Sequence, residues 1–176
     1  GSWQACIRAL GHMRDCGITP CANTQFNRLN LHELEALANI LFEQDIAMWQ
    51  VQITGPMGRA SDQEDILFQP YDMLDFIPRL ARVAKEAESH GCVVHAANNL
   101  GYFGPHEQQL RHGHWHGCTA GQYTLGIEAD GSIKGCPSLP SNPYVGGNIT
   151  DRPLAEIWKE SKQLRFSRER TVDELW

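Results

Sequence analysis

Cys118-Thr119-Ala120-Gly121-Gln122-Tyr123-Thr124-Leu125-Gly126-Ile127-Glu128-Ala129-Asp130-Gly131-Ser132-Ile133-Lys134-Gly135-Cys136 is the most specific stretch of this chain. Asp130-Gly131 is a strong hairpin signal, because glycine reaches the positive φ that a tight reversal needs. Residues 124–128 and 132–134 flank it as short strand candidates. A hairpin reversing there lays its flanks side by side. Cys118, before the first strand, and Cys136, after the second, then end up close together. Two thiolates held close ligate one metal ion or cluster. A hairpin between them sets their separation in advance, so less entropy is lost on binding.

Upstream, apolar periodicity alternates between helix and strand. A helix is expected over 3–16, a strand over 18–26, and a helix after Asn30, where Asn30 and Glu33 resemble a capping box and Leu34, Leu37, Ala38 and Leu41 recur at helical spacing. A strand follows over 47–54, then a polar loop over 59–69. A helix is expected over 71–90 with Ile77, Leu80, Ala81 and Ala84 on one face, its regular part beginning near Pro78. Residues 92–96 read as another strand. This order predicts an α/β fold of parallel βα units. Downstream, 137–147 reads as a Pro/Gly/Ser loop and 153–166 as a single helix opened by Pro153. The change in pattern puts a domain boundary near residue 105.

Composition narrows the function classes. The 176 residues are 41% hydrophobic and 20% charged, as in globular domains, and carry a net charge of −6. That balance argues against nucleic acid as the main partner. No apolar run is long enough to span a membrane, and Gly1-Ser2-Trp3-Gln4 lacks the basic and apolar regions of a signal peptide. Six cysteines in an α/β chain are too few for a secreted disulfide scaffold. Thiols or metal ligands in a cytoplasmic protein are the expectation.

The cysteine–glycine–cysteine spacing, with twelve residues before Gly131 and four after it, resembles the opening of the SPASM domain. Gly146-Gly147-Asn148-Ile149, Leu154-Ala155-Glu156-Ile157-Trp158 and Leu164-Arg165-Phe166 resemble its later segments. Residues 17–30 and 52–60, including Pro56-Met57-Gly58-Arg59-Ala60, resemble late strands and loops of a radical SAM barrel. The resemblance implies the C-terminal part of a partial TIM-like barrel over 1–105 and the N-terminal part of a SPASM domain over 106–176. It implies an oxidoreductase that uses a [4Fe–4S] cluster and S-adenosylmethionine, in many relatives to modify a ribosomal peptide. Cys118 and Cys136 would be ligands of an auxiliary [4Fe–4S] cluster.

The chain departs from the family pattern in one decisive respect. It has no Cys-x3-Cys-x2-Cys; the spacing of Cys16 and Cys21 is different. It is therefore expected to be an incomplete portion of such an enzyme, inactive alone, holding no complete cofactor and open to adventitious zinc. Where some relatives carry another cysteine before the hairpin, this chain has His112, His114 and His116, which are possible additional metal ligands.

Gln52 and Thr54, near a strand's carboxyl end, are candidates for the S-adenosylmethionine side, since active sites of such folds form at those ends. His95, Asn98 and Asn99 are candidates for the substrate side. Asn23 and Gln25 sit similarly, and Arg59 either binds a carboxylate or is simply solvated. Cys6, Cys16, Cys21 and Cys92 are expected to be small core residues. The competing readings are a non-enzymatic domain that binds a peptide or partner, and a zinc-binding domain. An incomplete parallel sheet exposes an edge, which predicts a homo-oligomer or domain swap.

Overall fold

A computed structural model describes residues 1–113 and 117–169. The chain divides into two units, Gly1–Trp115 and His116–Trp176. The division falls later than residue 105 because a short helix, α4 (Glu107–Arg111), packs with the first unit. Leu110 of α4 is buried in that unit's core, and the Gln109 amide donates to the Ala81 carbonyl at 2.6 Å.

In the first unit, α1 (Ser2–Asp15) precedes β1 (Cys21–Phe26), α2 (Leu34–Phe42), β2 (Met48–Ile53), α3 (Pro70–Ser89) and β3 (Val93–Ala96). The strands form a parallel sheet in the order β1-β2-β3. Strand alternation gives this sheet two different faces. Phe26, Trp49, Val51 and Val94 are buried on one face, against Leu34, Ala38 and Leu41 of α2 and Phe76, Leu80 and Ala84 of α3. The opposite face carries Asn23, Gln25, Gln50, Gln52 and His95, which are exposed or half-buried. Helices cover one side of the sheet and polar side chains the other, the arrangement a barrel wall has.

Aromatic packing anchors the wall. Phe76 sits with its ring centroid 5.3 Å from Phe26 and 5.1 Å from Phe68. The Trp49 indole N–H donates to Thr24 Oγ1 at 2.9 Å, so this buried ring keeps its polar atom satisfied.

Several local expectations are corrected. The regular part of α3 starts at Pro70, with Pro78 inside it. A reciprocal capping box between Gln69 and Asp72 opens the helix, and Pro70 tolerates the first turn because that position needs no N–H partner. Asn30 does not cap α2. Its amide accepts from the Asn27 N–H at 2.8 Å and donates to the Gln25 carbonyl, and Leu31–Glu33 form a 3-10 turn before the helix. Cys6, Cys16 and Cys21 are exposed rather than core residues, because α1 buries no side chain and Cys21 lies on the polar face. Cys92 is buried, and that burial pushes its thiol pKa up.

The second unit is an antiparallel meander of β4 (Gly126–Ile127), β5 (Ser132–Lys134) and β6 (Gly147–Asn148). The expected hairpin is present, and the stretch read as a loop ends in a third strand. The expected single helix is two, Leu154–Glu160 and Lys162–Glu169, because Ser161 between them is extended at φ −66° and ψ 122°. Ile133, Ile157 and Leu164 form the core of this unit, with Trp158 against it. Among the described residues no helix is long and apolar enough to cross a membrane.

Truncating Phe76 removes the centre of the aromatic cluster. Phe76→Ala should cost about 3–5 kcal/mol of stability, measured by denaturant unfolding. A loss below about 1 kcal/mol would contradict its place in the core.

Candidate metal centre and barrel face

The turn of the meander is held from both sides. Gly131 has φ +85°, and a Cβ there would lie 2.7 Å from Asn148 Oδ1. The closeness has a purpose, because the Asn148 amide donates to the Asp130 carbonyl at 2.9 Å and so ties β6 to the turn. The Ser132 N–H donates to Asp130 Oδ1 at 2.9 Å, closing an Asx turn and holding the Asp130 carboxyl below the usual aspartate range. The Ile149 N–H donates to the Gly131 carbonyl at 3.0 Å.

Beyond the strands the two cysteine segments abut. The Gly121 N–H donates to the Gly135 carbonyl at 3.2 Å and to the Thr124 carbonyl at 3.0 Å. Gly126 lies against Pro137 so closely that a Cβ would come 2.7 Å from the proline nitrogen. Cys118 is an exposed free thiol and Cys136 a half-buried one. The Ala120 N–H points at Cys118 Sγ at 3.5 Å, the kind of donor that stabilises charge on a ligating sulfur. Next to Cys136, the Lys134 ammonium is buried, paired with Glu128 Oε1 at 2.5 Å and hydrogen-bonded to the Pro137 carbonyl at 3.3 Å and to the Leu139 carbonyl.

Two accessible thiols on braced, adjoining segments, one with an N–H···S contact, are donors of the kind an iron–sulfur cluster takes. Among the described residues no group of three or more His, Cys, Asp or Glu side chains is placed to hold a metal. His112 belongs to the first unit. Its Nε2 lies 3.0 Å from the Val94 carbonyl, and its ring meets His95 edge-on at 5.7 Å. His114 and His116 lie outside the described residues.

The polar face of the sheet carries the other candidates. Register aligns Asn23, Gln50 and His95 in one row and Gln25 with Gln52 in the next. Met48, Gln50, His95, Ala96 and Ala97 line an open depression of about 320 Å³. Gln50 is the residue that sequence reasoning passed over, although it shares the face of Gln52 by simple alternation. Asn99 is occupied with backbone: its amide donates to the Ile53 carbonyl at 2.7 Å and accepts from the Ile53 N–H at 3.5 Å, extending the sheet past β2. Thr54 is half-buried, and its N–H donates to the Phe26 carbonyl at 2.8 Å. Asn98 lies in the 3-10 turn Asn98–Leu100, and Arg59 is exposed in Gly58–Asp62.

The SPASM family, described as an iron–sulfur cluster-binding domain, matches residues 118–175, so the match begins at the first hairpin cysteine. The chain is 25% identical to the AdoMet-dependent heme synthase of Nitratidesulfovibrio vulgaris over 184 aligned residues, which cover 94% of this chain and 47% of that protein. Residues 118–175 are thus similar to a SPASM domain, and the chain as a whole is similar to radical SAM/SPASM proteins. The chain also has the fold of Streptococcus suis SuiB, solved bound to S-adenosylmethionine, with a TM-score of 0.67 and 16% identity over 94% of this chain and 39% of that one. It thus spans less than half the length of these two relatives, and its three-stranded wall corresponds to part of a TIM-like barrel.

The Asp130 turn makes a pH prediction. Folding lowers this carboxyl pKa, so the ionised form favours the folded state above the ordinary aspartate range, and that contribution is lost as pH falls through the folded value. Asp130→Ala should therefore unfold more easily than the parent at about pH 7, with the gap closing towards about pH 3. Thermal unfolding across that range checks it; a gap independent of pH would contradict it.

Proposed function

We propose that this chain forms part of a radical SAM oxidoreductase that modifies a peptide, and that Cys118 and Cys136 ligate its auxiliary [4Fe–4S] cluster. The braced approach of the two cysteine segments, through Gly121–Gly135 and Gly126–Pro137, carries the reading. When bound, such a cluster supplies one-electron transfer and a charged anchoring point. The chain's own contribution is to deliver two thiolates already positioned, with the Ala120 N–H offsetting charge on the Cys118 sulfur.

On the barrel wall, Gln52 and Thr54 lie towards the carboxyl end of β2, on the side assigned to S-adenosylmethionine. Gln50 and His95 line the depression assigned to substrate. Side-chain amides donate and accept, which suits the amide groups of a peptide backbone. No Lys, Arg, Asp or Glu stands on the polar face of β1, β2 or β3. A heme-type macrocycle, which carries carboxylates, would find no fixed cation on these strands. That observation favours the peptide reading. With no Cys-x3-Cys-x2-Cys to hold the S-adenosylmethionine-cleaving cluster, these residues alone are inactive in this account.

Anaerobic reconstitution with iron and sulfide tests the ligand assignment. Cys118→Ala and Cys136→Ala should each lower bound iron and weaken the sulfur-to-iron charge-transfer absorbance. Wild-type iron content in both variants, or zinc in place of iron by elemental analysis, would defeat it.

A further inference from the structure

Lys134 stands apart from every other lysine and arginine among the described residues. It is 3% exposed, and among the described residues no other charged side chain is buried. Long charged side chains are almost never fully buried unless they are paired, because desolvating an ammonium is costly. Here the ammonium has three partners. Glu128 Oε1 lies at 2.5 Å, from the strand-end residue on the other arm of the hairpin. The Pro137 carbonyl lies at 3.3 Å, and the Leu139 carbonyl is closer. These acceptors use the three donors an ammonium has.

The partners matter by their position. Pro137 and Leu139 belong to the segment that leaves Cys136, where the Leu139 N–H also donates to the Cys136 carbonyl at 3.2 Å. Lys134 therefore closes the chain over on itself around Cys136, and Glu128 ties that closure to the opposite arm. Ile133, the residue before it, is in the core of the unit, so the lysine stem is anchored as well. A hydrophobic residue at this position would satisfy the burial but leave both carbonyls without a donor.

We propose that Lys134 is a positioning residue for the cluster: its Glu128-paired ammonium clamps the 137–139 segment and so sets the path of Cys136 towards the iron. The inference rests on the reading of Cys118 and Cys136 as cluster ligands. Groups that orient metal ligands from behind commonly change metal affinity on the order of 10- to 100-fold when removed.

The test uses the protein with its complete coding sequence, reconstituted anaerobically with iron and sulfide. Iron release to a chelator is followed below the unfolding temperature, together with the electron paramagnetic resonance spectrum of the reduced protein. Lys134→Met should release auxiliary-cluster iron on the order of 10-fold faster and alter that cluster's spectrum. Glu128→Gln, which keeps the ammonium and both carbonyl bonds, should move the release rate in the same direction by less. It remains informative where Lys134→Met does not fold. Wild-type release rates and spectra in the folded variants, whatever their melting temperatures, would overturn the clamp. Failure of the parent protein to take up auxiliary-cluster iron would instead remove the ligand assignment beneath it.

Discussion

The second unit depends on the reversal at Asp130-Gly131 and on the side chain that locks it, Asn148. Gly131 at φ +85° turns the chain, and the Asn148 amide reaches the Asp130 carbonyl from β6, so the third strand is pinned to the turn of the first two. Backbone bonds from the Gly146 N–H to the Ile133 carbonyl and from the Ile149 N–H to the Gly131 carbonyl hold β6 beside it. Each such hydrogen bond is worth only about 0.5–1.5 kcal/mol. The significance lies in what stands on them: the segments bearing Cys118 and Cys136 are extensions of the same meander.

That arrangement makes sense of a unit with little core. Its buried apolar side chains among the described residues are Ile133, Ile157 and Leu164. Units of this size rarely stabilise themselves by burial alone and commonly add a metal site or other cross-link. In the proposed holoprotein the cluster would contribute folding energy as well as electron transfer, since ligands that are organised on binding couple the two. The hairpin, the Asx turn and the proposed Lys134 clamp would lower the entropy that such binding has to overcome. The first unit has a larger core, built from its aromatic cluster and two packed helices.

Much of this was legible in the sequence, for identifiable reasons. The parallel wall follows from strands and helices that alternate in order, and the hairpin from Asp130-Gly131. β6 was not legible because two residues show no period, and Gly146-Gly147 reads as loop. The extent of α3 was legible to within a residue, but not its regular start at Pro70, because Pro78 outweighs a cap, Gln69 with Asp72, that uses neither Ser nor Thr. The break at Ser161 leaves no trace in the apolar spacing, which continues through it. Lys134 was invisible for a simple reason: lysine normally signals surface, and only the carbonyls of a later segment reveal why this one is inside. Gln50 was within reach, one alternation from Gln52.

The most direct measurement is cysteine footprinting by alkylation and mass spectrometry, comparing the apoprotein with the iron–sulfur-reconstituted form. The account predicts that Cys118 and Cys136 are modified in the first and protected in the second, while the exposed Cys6, Cys16 and Cys21 react in both. Equal labelling of Cys118 and Cys136 in the two forms, with iron bound, would contradict it.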